Sequence, residues 1–131
     1  MGQPAAKQGD KIIATDTHIV MIPAPSGQVP TPLPHPFQGQ IDDKLSDDVN
    51  IGGQPAAVKG STASNTPGHI PQGGNFQKTP ADKGEIIIGS TSVFINGKPA
   101  ARNGDKATTC NDPADLPVGT VMATGTVFIG G

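Results

Sequence analysis

Apolar residues in this chain come in short runs that alternate with stretches rich in Gly, Pro, Ser, Thr and Asn. Residues 11–15 and 19–22 are rich in β-branched side chains and too short for an ordinary helix, so we predict two short strands there with His18 between them. Three longer segments each end in a Val-x-Ile alternation: residues 39–53, 84–97 and 119–131. We predict a β-hairpin in each segment, with the valine and isoleucine side chains on one buried face. The pattern is typical of an all-β protein.

A repeat divides the chain into three units. Residues 2–12, 53–63 and 97–107 share a Gly-x-Pro-Ala-Ala sequence, and the Val-x-Ile alternation precedes the second and third copies. Residues 127–131 match that lead-in and then stop. Three copies predict a single domain over residues 1–131, built as a closed ring with internal pseudo-threefold symmetry. In that ring the C-terminal strand completes the unit that begins at the N-terminus.

Proline dominates residues 23–39, for which we predict a stiff, polyproline-like loop that presents His35. Residues 58–83, which contain His69, and residues 103–118, which contain Cys110, are predicted to be further loops.

The composition limits both the core and the function. Only 34% of the residues are hydrophobic and Trp and Tyr are absent, so the core must be thin and must rely on a metal or on assembly. The net charge of −2 and the lack of a basic cluster exclude a nucleic-acid surface. No apolar run approaches the roughly 20 residues of a transmembrane helix. The N-terminal residues also lack a hydrophobic signal core, so we expect the protein to be made and folded in the cytosol.

Each unit offers one candidate metal ligand at a matching place. His18 and His69 both follow the proline of their Pro-Ala-Ala segment by 14 residues, and Cys110 follows its proline by 11. A threefold axis would bring these positions together, and His35 would supply a fourth ligand. Three histidines and one cysteine fit one Zn²⁺ ion. Four protein ligands leave no open position for a substrate, so we predict a structural site.

The repeated segments resemble the PAAR-repeat proteins, named for proline, alanine, alanine and arginine. The resemblance rests on the segments GQPAAKQGDK, GQPAAVKG and GKPAARNGDK, on the Val-Phe-Ile-Asn-Gly lead-in, and on the spacing of the histidines and the cysteine. It covers essentially the whole chain. Lys7 and Val58 replace the arginine in the first two copies, so only the third copy is complete. The resemblance implies a small conical β-rich fold with zinc near the pointed end.

The resemblance also implies a partner and a role. The partner would be the blunt end of a trimeric β-helical spike, the valine-glycine repeat protein (VgrG) of a type VI secretion system or its equivalent in a related contractile injection machine. One copy of a pseudo-threefold chain can cap all three subunits of such a trimer. The expected role is that of a structural tip, not an enzyme, which helps the spike puncture a target membrane and can carry effectors non-covalently. It would be assembled in the cytoplasm and delivered with the spike.

Two other functions fit some of the same residues. A zinc hydrolase could use Asp16, Asp105 or Asp112 as its base, but the closed ligand set and the lack of a catalytic motif disfavour it. A free-standing zinc-stabilised adaptor for an effector is the other alternative.

Four large side chains are predicted to pack in the core or at the base: Met21, Met122, Phe94 and Phe128.

Overall fold

The fold is known from a computed structural model, which describes residues 2–130. Those residues form thirteen β-strands and no helix, so the all-β prediction is confirmed. The strands are β1 (Gln3–Pro4), β2 (Lys11–Ala24), β3 (Gly27–Asp43), β4 (Asn50–Ile51), β5 (Gln54–Pro55), β6 (Thr62–Asn65), β7 (Asn75–Phe76), β8 (Lys83–Ile86), β9 (Phe94–Ile95), β10 (Lys98–Pro99), β11 (Lys106–Thr109), β12 (Leu116–Met122) and β13 (Phe128–Ile129). No helix within the described range is long and apolar enough to cross a membrane.

Six strands form an antiparallel sheet that closes on itself. The order is β12, β11, β8, β6, β3 and β2, and β12 pairs back onto β2. Each of the three units therefore contributes two strands to the closed sheet. Ile41, Ile86 and Val121 occupy matching positions in the three units, and all three are fully buried inside it. The core around them is made mostly of small side chains: Ala6, Ala57, Ala63, Ala101, Ala107 and Ala123, together with Ile12 and Phe37.

The three Pro-Ala-Ala segments form a ring of hydrogen bonds. The Ala6 amide donates to the Ala101 carbonyl (3.0 Å), the Ala101 amide to the Ala57 carbonyl (3.1 Å), and the Ala57 amide back to the Ala6 carbonyl (3.0 Å). All three alanines are fully buried. Only small side chains fit where three copies of the chain converge, because protein interiors are close-packed. The predicted pseudo-threefold symmetry is thus present in the backbone hydrogen bonding.

Three short strand pairs flank this ring, and two of them are hairpins. β4 pairs with β5 through a turn at Gly52 and Gly53, and β9 pairs with β10 through Asn96 and Gly97. These four turn residues have positive φ angles between 54° and 83°, as the tight turns of two-residue hairpins require. The third pair joins distant parts of the chain, since β1 pairs with β13.

The hairpins predicted within residues 39–53, 84–97 and 119–131 are wrong. The first strand of each segment lies in the closed sheet, whereas the Val-x-Ile strand pairs with a Pro-Ala-Ala segment: β4 and β9 pair with the segment that follows them, and β13 pairs with β1. The predicted burial of the Val-x-Ile side chains is also only partly correct. Ile95 and Ile129 are buried, but Phe94 and Phe128 are 57% and 59% exposed. The valines of the three alternations, Val49, Val93 and Val127, are exposed, so the predicted burial of these valines is wrong, and Met122 is exposed as well.

The loop predicted for residues 23–39 is wrong, because these residues complete a long β-hairpin. β2 and β3 pair without interruption from Lys11 opposite Gln40 to Ala24 opposite Gly27. β3 accommodates its prolines because the backbone nitrogens of all of them face the same edge of the strand. The backbone groups of Thr17 and Ile19 bond to residues 111 and 112, which leaves the alternate residues of β2 to bond to β3. Four prolines thereby direct their missing amide donors to the open edge of β3: Pro30, Pro32, Pro34 and Pro36.

Candidate metal centre

The inner face of the β2–β3 hairpin supplies three of the polar side chains of the site. Side chains alternate between the two faces of a strand, so Asp16 and His18 both point inward from β2. His35 lies directly opposite Asp16 in the antiparallel register. All three side chains are buried. The period-2 pattern of the hairpin therefore brings three candidate metal ligands to the same level of the sheet.

Loops from the second and third units bring His69 and Cys110 to the same place. Cys110 comes directly after β11, and the next two residues are tied to β2. The Thr17 amide donates to the Asn111 side-chain oxygen (2.6 Å), and the Asp112 amide donates to the Thr17 carbonyl (2.8 Å). The His69 loop is held from the other side, where the His69 amide donates to an Asp82 carboxylate oxygen (2.9 Å).

Four side chains converge closely enough to hold one metal ion. One donor atom each from Asp16, His18, His69 and Cys110 lies within 4.8 Å of all the others. The Cys110 Sγ lies 3.6 Å from the His18 Nε2 and 3.5 Å from the Asp16 Oδ2. Two donors bound to one zinc at about 2.0–2.3 Å, with a tetrahedral angle between them, are roughly 3.3–3.6 Å apart. The sulfur contacts therefore fit a shared ion, whereas the Asp16 Oδ2 and His69 Nε2, at 2.8 Å, are at hydrogen-bond distance.

His35 lies beside this group of four. Its ring centre is 5.5 Å from that of His18 and 5.4 Å from that of His69. Its Nδ1 lies 2.9 Å from the Leu33 carbonyl and donates to it, so the proton is on Nδ1 and the Nε2 carries a lone pair. That Nε2 is buried without a hydrogen-bond partner among the described residues. A buried acceptor of this kind beside a cation site fits a ligand, and ligation by His35 stays a prediction.

Burial controls the protonation of His18 and Cys110. Removal from water, reinforced by the neighbouring His69, lowers the pKa of His18 below its usual 6.5, although Asp112 and Asp16 oppose this. Burial raises the pKa of the Cys110 thiol to about 12, and Asp16 acts in the same direction. Without an ion, burial therefore favours the neutral form of His18 and the thiol form of Cys110. A bound cation favours the thiolate, so metal binding is coupled to loss of the Cys110 proton.

The cluster is closed to solvent. The side chains of Asp16, His18 and His69 are no more than 2% exposed. Phe76 of β7 covers the histidines from one side, with its ring centre 5.9 Å from that of His18 and 5.4 Å from that of His35. Phe37 of β3 also lies beside the cluster, with its ring centre 6.1 Å from that of His69.

The structure places His18, His69 and Cys110 close together, and Asp16 is a further member of the cluster. The sequence interpretation considers Asp16 only as the base of a hydrolase. Its signal was its position two residues before His18 in a strand, which places both side chains on one face. The signal was hidden because His18 was placed between two short strands rather than within one long strand.

The comparisons with known proteins bear on the third unit. A model of the PAAR motif matches residues 77–131, which include the complete Pro-Ala-Ala-Arg segment and Cys110. No curated protein matches the chain. The chain therefore carries a PAAR motif, and the resemblance to PAAR-repeat proteins found in its sequence is confirmed.

Proposed function

We propose that this protein is the structural tip of a contractile injection machine, where one copy caps a trimeric VgrG-like spike and helps it puncture a target membrane. The observation that carries the proposal is the closed ring of hydrogen bonds among Ala6, Ala57 and Ala101, in a chain that also carries the PAAR motif. A single chain with three equivalent corners matches the end of a homotrimer, which a chain without internal symmetry cannot do.

The three strand pairs beside the ring provide the surface for this contact. Symmetry places their Val-x-Ile strands at equivalent positions, and these strands expose large apolar side chains, which on a soluble protein often mark an interaction site. The exposed side chains are Val49, Val93, Phe94, Val127 and Phe128. A polar residue, Asn50, occupies the position of Phe94 and Phe128 in the remaining unit. Docking onto a spike would bury these side chains, and the short strands would extend the β-structure of the spike.

We further propose that the cluster binds one structural Zn²⁺. Thiolate, imidazole and carboxylate donors together suit zinc, and the ion would join loops from all three units. His18, His69 and Cys110 would hold it, with His35 and Asp16 as the neighbouring donors. Because the donors are shut off from solvent, the ion would stiffen the tip rather than activate a water molecule. The same burial disfavours a zinc hydrolase.

Mixing with a trimeric spike fragment tests the capping role. Light scattering after size exclusion should give one chain per spike trimer. Replacing Phe94 and Phe128 with serine should weaken the complex at least tenfold, whereas Ile70→Ser, which alters an equally exposed apolar residue beside His69, should leave it unchanged. A ratio of three chains per trimer would contradict the symmetry argument. No binding to any spike would favour the free-standing adaptor.

A further inference from the structure

Asp16 is a buried carboxylate without a permanent cationic partner. Its side chain is completely buried, and its one ion-pair contact among the described residues is with His69. Its other contacts are the Thr109 hydroxyl, which donates to Oδ1 (2.5 Å), and the Cys110 thiol, 3.5 Å from Oδ2. An isolated charge in the interior is strongly unfavourable, and buried carboxylates are normally paired with a cation.

Two other aspartates of the chain, both outside the proposed metal centre, are paired with an arginine or a lysine. Asp105 is also buried, and the Arg102 guanidinium donates to it through Nη2 (2.8 Å) and Nε (3.3 Å). Asp10, in the matching turn of the first unit, pairs with Lys7 at 3.2 Å. Asp16 departs from this rule inside the one group of side chains within residues 2–130 that could hold a metal ion.

Charge balance explains the departure. Among the four side chains that face one another, a divalent cation held by the Cys110 thiolate and neutral histidines leaves one uncompensated positive charge. The nearby Asp112 contacts only the outer nitrogen of His18, Nδ1, at 3.6 Å. A second negative charge makes the centre neutral. We propose that Asp16 is this charge-balancing residue, which sets the affinity of the centre for a divalent cation. The inference rests on the metal centre proposed above and deepens it.

The two oxygens of Asp16 are placed for this role. Thr109, the residue before Cys110, holds Oδ1, so the carboxylate is oriented by the same strand end that positions the sulfur. Oδ2 then faces the His69 Nε2 and the Cys110 Sγ, which are donors of the centre. Replacing a group that neighbours the ligands of a metal in this way typically costs 10–100-fold in metal affinity.

Asp16→Asn tests the proposal, because it keeps the shape and an acceptor for Thr109 but removes the charge. Zn²⁺ affinity should fall about 10–100-fold in a competition titration with a chelating dye. Stability should change in opposite directions in the two states. At pH 8, where histidines are ordinarily neutral, metal-free Asp16→Asn should melt at a higher temperature than the metal-free wild type, and zinc should raise its melting temperature less.

The control is Asp105→Asn, which removes a buried carboxylate that already has its arginine. It should lower the melting temperature with and without zinc and leave the zinc affinity unchanged. If Asp16→Asn lowers stability in both states, or binds zinc as tightly as the wild type, the charge-balancing role is wrong. A wild-type protein that binds no zinc would instead refute the metal centre itself, so the two failures are distinguishable.

Discussion

Three equivalent glycines of the closed sheet allow a graded test of its packing. Gly39, Gly84 and Gly119 each lie two residues before a fully buried residue of the threefold set, and all three are buried. A Cβ added at Gly119 would lie 3.0 Å from the Ala107 carbonyl oxygen and 3.1 Å from the Ile12 Cγ2. At Gly39 it would meet the Ser64 backbone at 3.0 Å and the Phe37 ring at 2.9 Å.

Gly84 has more room. Its added Cβ would lie 3.3 Å from the Phe37 ring and 3.4 Å from the Thr109 Cγ2, and none of its three nearest atoms belongs to the backbone. Side chains can shift by a few tenths of an ångström, whereas paired strands resist displacement. Overpacking of a core typically costs about 1–3 kcal/mol, while replacing glycine by alanine at a compatible position gains about 0.4–1 kcal/mol through the unfolded chain.

We therefore expect Gly119→Ala and Gly39→Ala to lower the free energy of unfolding by about 0.5–2.5 kcal/mol, and Gly84→Ala to leave it within about 0.5 kcal/mol of the wild type. Urea unfolding of the zinc-loaded proteins, followed by far-UV circular dichroism, measures all three. Each variant is the control for the other two, because the positions are related by the pseudo-threefold symmetry. Equal losses at the three sites, or the largest loss at Gly84, would refute the packing argument.

Three further predictions concern the metal, the pH and the open edge. Elemental analysis should find one zinc per chain, and Cys110→Ser should lose most of it along with thermal stability; a wild type free of metal would contradict this. Because burial, reinforced by His69, lowers the pKa of His18, the metal-free fold binds fewer protons than the unfolded chain near pH 6. Its unfolding free energy should therefore fall as the pH drops through 6.5, and less steeply in His18→Gln; a rise instead would show the sign to be wrong. Replacing Pro32 and Pro34 together with threonine should restore amide donors on the edge of β3 and cause association measurable by light scattering. The control Pro25→Thr, in the adjoining turn, should not associate. A double variant that stays monomeric would contradict the idea that the prolines protect this edge.

The repeat made the symmetry of the fold predictable, because segments that share the sequence Gly-x-Pro-Ala-Ala adopt similar local structures. It also led to the right loops for His18, His69 and Cys110, since equivalent positions meet near an axis. The pairing of the strands was not predictable in the same way. The Val-x-Ile strands look like the second half of a hairpin that starts upstream. Nothing local shows that the partners of β4 and β9 follow downstream and that the partner of β13 is β1.

Proline caused the other large error. Proline is rare within paired strands, so a run with four of them at alternate positions favoured a loop. The alternation of the prolines is nevertheless compatible with a strand, because every second residue of an antiparallel strand faces the same side. Asp16 was missed for a related reason. A carboxylate has no spacing that marks it as part of a metal centre until the strand that carries it is known to continue through His18.

The pairing of β1 with β13 has a consequence for how the protein is made. Pro4 is translated long before its partner Phe128, so the first unit cannot be completed while residue 128 is still in the exit tunnel of the ribosome. Until that residue emerges, the nascent chain exposes an unpaired strand and an incomplete ring, the condition in which growing β-proteins are most prone to aggregate.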